Sequence, residues 1–250
     1  MDEDAVDVTG NGSADDDALT QWRRDASTSR TVRLLWAFGV GAFFAAIGTV
    51  VCWRLYRLAS EAAGRSGKAV VIALIAASAT MVLALAASSH TDRHLERLTR
   101  RLPVDVPAGT SLDRTVDAAV ATVVIGTVIG VLMGIGRYVS HNELLAVGAG
   151  PFTGLAALFV PFGFAALVLA SFLQSVGALD RDERTIYLYE PEQAIDLAVI
   201  DAVSIREIGD AAVLSLTYAQ PGGQYVQGPR RIVVPPAVAA DVAALVESRT

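Results

Sequence analysis

The chain has 250 residues, 53% of them hydrophobic and 18% charged, with a formal charge of −6 and a mean hydropathy of +0.46. That is too apolar for an ordinary soluble domain, and the lone Cys52 excludes an intrachain disulfide or a Cys-rich metal site. The charge divides into −7 over residues 1–22, +6 over 23–179 and −5 over 180–250, with Lys68 the only lysine among twenty basic residues. Acidic aqueous parts almost free of lysine suit a protein kept soluble in concentrated salt, so the acidity describes the solvent and no nucleic-acid partner is expected.

Residues 1–30 open with MDEDAVDVTGNGSADDDALTQW, rich in Asp, Gly and Ser. So little apolar surface predicts a disordered acidic tail, with an acidic docking peptide as its functional alternative. No basic region leads directly into an apolar run, so the tail does not read as a signal peptide.

The first predicted span is 34–53, uncharged throughout, with Trp36 and Trp53 near its ends as interface anchors. Gly39 and Gly41 would let a neighbouring helix approach, and Cys52 reads as a small packing residue. A short connector carries Arg54, Arg57, Arg65 and Lys68. The second span, 69–89, is rich in Ala and Ser and thin enough for close packing.

The connector from His90 to Arg114 begins as an amphipathic helix with Leu95, Leu98 and Leu102 toward lipid, ended by Pro103 and Pro107. His90 and His94 share a face at i,i+4 and are the chain's metal candidates. A metal site takes about three or four ligands, so the pair alone falls short of one. Thr110 and Asp113 resemble a capping box for the third span, 115–136.

That third span has no charge from Ala118 to Gly136, and Gly126, Gly130 and Gly134 recur every fourth residue. Such a stripe is expected to pack against another helix, within the bundle or across a dimer. Asp117 lies in the first turn, where the helix dipole and headgroup water tolerate a carboxylate.

Residues 144–179 are uncharged over 36 positions. One helix of that length would extend about 54 Å, well beyond the hydrocarbon. A break is expected at Gly148–Pro151, leaving 142–150 interfacial or shallowly re-entrant and 152–175 as the fourth span, bent near Pro161 and Gly163. Basic residues flanking the spans number eleven on the amino-terminal side and five on the other. The positive-inside rule therefore places both termini in the cytoplasm of a multi-pass protein of the cell membrane.

Residues 184–250 change character. RTIYLYE alternates, AIDLAVIDAVSIREI and AAVLSLTYA flank Gly209-Asp210, and a Pro-Gly-Gly turn precedes RRIVVPP. A helix from Pro236 aligns Val238, Val242, Leu245 and Val246 on one face. The expected unit is a small α+β domain, an antiparallel sheet capped by a carboxy-terminal helix.

The strand joint IDAVSI at 200–205, the strand 213–218 and the ending IVVPPAVAADVAALV resemble the short pleckstrin-homology-like domains appended to prokaryotic membrane proteins. The resemblance covers about a quarter of the chain and implies a curved sheet, truncated relative to the full seven strands, acting as a binding or assembly module. The basic loop pattern that grips phosphoinositide headgroups is missing, and Arg230 and Arg231 remain as a possible interaction surface. The whole arrangement resembles four-span membrane proteins of salt-loving archaea.

The function expected is an integral membrane scaffold or assembly protein, in contact with the bilayer and with a protein partner or a second copy of itself. The alternatives are a small-solute or ion transporter and a membrane-state sensor. Transport would need polar groups between spans, where the sequence offers chiefly Ser78, Thr80, Thr122 and Thr127. No GxSxG, HExxH or Walker loop is present, so catalysis and a cofactor are not expected.

Overall fold

A computed structural model describes residues 19–88, 110–219 and 227–248. The chain forms two compact units: Met1–Val32 with Phe172–Thr250, and Arg33–Ser171. The second unit is therefore an insertion in the sequence of the first.

The inserted unit is helical. Among the described residues, three helices are long and apolar enough to cross a membrane: Arg30–Ala87, Leu112–His141 and Gly150–Phe172. Helix α1 runs from Arg30 to Ala87, 58 residues, and is interrupted at Gly64, where φ is 57° and ψ −128°. Glycine alone adopts that backbone without a steric cost. The expected span 34–53 and, as far as Ala87, the expected span 69–89 thus lie on two arms of one element, and the short basic connector between them is helical.

Local contacts explain why the connector holds its helix. Arg57 pairs with Glu61 one turn on at 3.5 Å and lies over the Trp53 ring at 5.5 Å. Lys68 lies over Tyr56 at 5.7 Å, and a Cβ on Gly67 would collide with the Ala59 carbonyl. Residues 59 and 67 would stand about 12 Å apart along a straight helix. The chain therefore turns sharply at Gly64.

Helix α2 spans Thr110–His141, α3 Gly150–Ala157 and α4 Phe159–Phe172. The last two are parted at Leu158 alone. Pro161 explains the position of this break, because it cannot donate to the Ala157 carbonyl and its ring crowds that turn. The expected bend near Pro161 lies three residues earlier, and α4 ends at Phe172, so Ser175 belongs to a strand and not to a span.

The first arm of α1 packs on α2 and α3 through Ala42, Ala45, Ile125, Ile129 and Ala156, with Phe38 and Phe159 at the margin. Glycine permits two close approaches. Gly39 and Gly163 face each other, the Gly39 carbonyl lying 3.3 Å from where a Gly163 Cβ would be, and Gly41 abuts Ala121. Backbone contact of this kind supplies packing energy where lipid offers little hydrophobic drive between helices.

The described residues of the other unit hold seven strands. Strands β1 (Leu19–Arg24), β2 (Ser175–Asp180), β3 (Thr185–Tyr189) and β4 (Glu192–Asp196) form one sheet in that order. Strands β5 (Ile200–Ile208), β6 (Ala211–Tyr218) and β7 (Arg231–Val234) form the second. All pairings are antiparallel. Between the sheets Asp196 accepts a hydrogen bond from the Ala198 amide at 2.7 Å and caps a 3₁₀ turn at Leu197–Val199. Residues 194–208, which read as one strand, are divided there.

Helix α5 (Pro236–Glu247) buries Val238, Ala239, Val242 and Val246 against the sheets. One core joins all three layers, with Leu179, Ile186, Ile200, Leu214, Val234 and Val242 fully enclosed. Arg181 reaches from the β2–β3 turn to Asp241 of α5 at 2.6 Å.

The unit expected over 184–250 in a truncated form thus has seven strands, because residues 175–180 and 19–24 supply two of them. Residues 19–29, expected within a disordered tail, are a strand and a turn. The alternation within β1 accounts for its docking: Leu19, Gln21 and Arg23 are exposed while Trp22 and Arg24 are buried.

Candidate functional site

The densest polar cluster outside the membrane-crossing helices lies where β1 meets the rest of the β unit. Six consecutive rungs join β1 to β2, from Leu19 opposite Asp180 to Arg24 opposite Ser175. Trp22 lies over Gly177, where a Cβ would come within 2.6 Å of the indole ring. Any larger residue at 177 would displace that ring. The indole is 7% exposed, and its Nε1 has no hydrogen-bond partner.

Arg24 points inward on the same face, 5% exposed. A buried guanidinium needs a partner, and it finds one at the β5–β6 turn. Its Nη2 donates to the Asp210 carboxylate at 3.1 Å and to Ser29 Oγ at 3.0 Å, while Nη1 donates to the Asp210 carbonyl. Ser29 Oγ donates in turn to Asp210 at 3.0 Å. The turn itself is Gly209-Asp210, and Gly209 sits at φ 63°, in the left-handed region that favours glycine.

The same groups cap helix α1. Ser29 Oγ accepts from the Val32 amide at 3.3 Å, and Asp210 Oδ2 accepts from the Arg30 amide at 3.0 Å. Two of the four orphan amides at this helix start are thereby satisfied. Burial alone would raise the Asp210 carboxyl. Hydrogen bonds from Thr31, Arg24 and Ser29, with the Arg24 charge, outweigh it and hold the group well below the ordinary carboxylate range.

Residues 25–29 connect strand to helix through an Asp-centred turn. Asp25 Oδ1 accepts from the Ser27 and Thr28 amides at 2.7 and 3.2 Å, and Asp25 Oδ2 accepts from Arg23 Nε at 3.0 Å. Burial would raise this carboxyl as well, but the hydrogen bonds from Ser27, Arg23 and Thr28 prevail and depress it. The cluster has the chemistry of a fastening, with every charge answered and no nucleophile in a cleft.

The residues singled out by sequence lie elsewhere. His90 and His94 fall outside the described residues, and among those described no three His, Cys, Asp or Glu side chains come together. A Cβ on Gly126 would be 3.8 Å from Ala45, an ordinary contact, whereas Gly130 and Gly134 have nothing among the described residues within 4 Å. Arg230 and Arg231 are both exposed, Arg231 at the start of β7 opposite Ser215. Asp117, read as part of a helix start, also forms an ion pair with Arg33. The hydroxyls of Thr80, Thr122 and Thr127 donate to carbonyls one turn back in their own helices, at 2.8, 2.7 and 2.7 Å.

Trp22, Arg24, Ser29 and Asp210 were not among the sequence candidates. One signal was present, since Ser29 stands directly before an apolar helical run as an N-cap does. Comparison of the chain with protein-family models, with curated proteins and with solved structures finds no match.

Proposed function

We propose that this chain is an integral membrane scaffold or assembly protein whose helical unit crosses the bilayer four times. Its β unit, pleckstrin-homology-like in having sheets of four and three strands with a closing helix, would be a cytoplasmic interaction module. The pairing of β1 with β2 carries this reading. Both connections of the helical unit lead into one folded β unit, so the chain must leave and re-enter on the same face, and the number of crossings must be even. Three apolar helices meet that condition when α1 counts twice. Its arms on either side of Gly64, residues 30–63 and 65–87, each exceed the roughly 20 residues that a crossing requires.

The eleven-to-five excess of flanking basic residues favours the cytoplasm for the β unit, and the acidic, lysine-poor balance favours work in concentrated salt. Gly130 and Gly134, which meet nothing among the described residues, would be available to a second copy or a partner helix. The hydroxyls of Thr80, Thr122 and Thr127 are spent on their own helices, which supports a scaffold over a transporter.

The test is a reporter fused after Thr250, probed in intact cells with a membrane-impermeant reagent. Protection until lysis is the expected result. Labelling before lysis would overturn the cytoplasmic assignment, and opposite labelling of residues 19–29 and the carboxy terminus would overturn the even count.

A further inference from the structure

We infer that the outer edge of β2, together with Gly177 and Asp210, is a strand-binding site, that its occupant is residues 19–29 of the same chain, and that its filling is the closing event of membrane assembly. This rests on the four-crossing reading above.

The site has the parts of a recognition surface. The β2 edge offers six rungs of backbone hydrogen bonding, which any extended segment could use. Selectivity comes from alternate positions, as it does wherever a strand adds to a sheet edge. The slot over Gly177 takes a flat aromatic ring, and Asp210 takes a guanidinium two residues later. Residues 19–24 present Trp22 and Arg24 at that spacing, and Ser29 then caps the helix that follows.

Order of synthesis gives the site a period of vacancy. About 150 residues separate β1 from β2, which takes on the order of ten seconds to translate, whereas a hairpin closes in microseconds. Until then β1 has no partner strand and Arg24 no carboxylate. The occupant reaches the site only if the helical unit has brought the chain back to the face it left. An odd number of crossings leaves strand and site on opposite sides of the bilayer, with the β2 edge open and Asp210 without its arginine.

The experiment uses the full chain carrying Cys52→Ser, which removes the only native thiol. Arg23→Cys and Val176→Cys are added on opposite rungs, within the Cα separation a disulfide needs. Mild oxidation of membranes should link most chains internally, while Arg23→Cys with Asp180→Cys, four rungs out of register, should link at least tenfold less. A product of double mass would show that the occupant comes from a second copy and would overturn the inference. So would the absence of a link when each thiol, tested singly, labels from the same face. Labelling from opposite faces would instead sink the four-crossing reading itself.

Deleting residues 150–172, one crossing, should abolish the link and place the two thiols on opposite faces. Retention of the link in the deleted chain would overturn the inference. Loss of the link with both thiols on one face would overturn it as well.

Discussion

Replacing Trp22 tests the β1 docking most directly, because two substitutions at one position should behave differently. The indole is 7% exposed within a core shared with Leu179, Ile186 and Val242. Truncating a buried Trp to Ala costs about 3–5 kcal/mol, from lost transfer free energy and the cavity left behind. A unit of roughly 90 residues has a total stability of about 5–14 kcal/mol, so Trp22→Ala removes much of it. At about 4–8 °C per kcal/mol for a domain of this size, the midpoint should fall by roughly 12–40 °C. Trp22→Phe keeps most of the apolar volume and deletes an Nε1 that has no hydrogen-bond partner. Removing an unsatisfied buried donor is favourable and offsets the smaller ring, so the net change should stay within about 1 kcal/mol. The assay is proteolysis of the full chain in detergent over a temperature series, read at a carboxy-terminal tag, since the indole fluorescence disappears with the residue. A Trp22→Ala chain that resists protease to within 5 °C of the parent would refute the docking of β1 in the core. A Trp22→Phe chain as unstable as the alanine variant would refute the account of the unpaired nitrogen.

Asp210→Asn should destabilise the β unit by about 2 kcal/mol, between the value of an exposed pair and that of a fully buried one, because Asp210 is 39% exposed. Its carboxyl titrates lower when folded, so its contribution is complete above about pH 4 and is lost as the pH falls further. An acid titration of the parent should therefore lose stability below pH 4 more steeply than that of the Asn variant, and parallel curves would remove Asp210 from the lock. Gly41→Leu should destabilise the helical unit by about 1–3 kcal/mol, since its Cβ would lie 2.6 Å from Ala121 Cβ. Gly130→Leu should leave monomer melting unchanged and weaken any dimer resolved by native electrophoresis, and melting of the two variants at one temperature would contradict that contrast. Gly64→Ala forces a side chain into φ 57°, ψ −128° at a cost of about 1–3 kcal/mol. It should increase protease cleavage between residues 59 and 67, and an unchanged digest would count against a sharp turn there.

The elements that depend on nearby residues were legible in the sequence. Strand β3 was marked by its alternation, β5 and β6 by the Gly209-Asp210 turn between them, and α5 by its proline start and apolar face. Strand β1 was not, for two physical reasons. Its partner lies about 150 residues away, so no local turn announces the pairing. Its inward face also carries an arginine, which reverses the usual polarity of an amphipathic strand, and LTQWRR after an aspartate-rich run reads as tail and membrane flank. The glycines show the same division. Their four-residue period in α2 is plain, but which glycine meets a backbone depends on the neighbouring helix. The close approaches fall at Gly39, Gly41 and Gly163, while Gly130 and Gly134 of the regular stripe meet nothing among the described residues. Likewise the charges from Arg54 to Lys68 marked a short connector, and only the glycine conformation at residue 64 shows where the helix turns.

The position of Arg24 opposite Ser175 has a mechanical consequence. The chain leaves β1 at Arg24 toward the first helix and enters β2 at Ser175 from the last one, so these two neighbouring rung ends carry any tension that spreads the helices in the plane of the bilayer. Such a load peels the ladder one rung at a time, instead of shearing six rungs at once, and peeling is the weaker mode. The rung that meets the load first is the one tied by Arg24 to Asp210 and Ser29. A strand that would otherwise open like a zipper is thereby pinned at its pull tab.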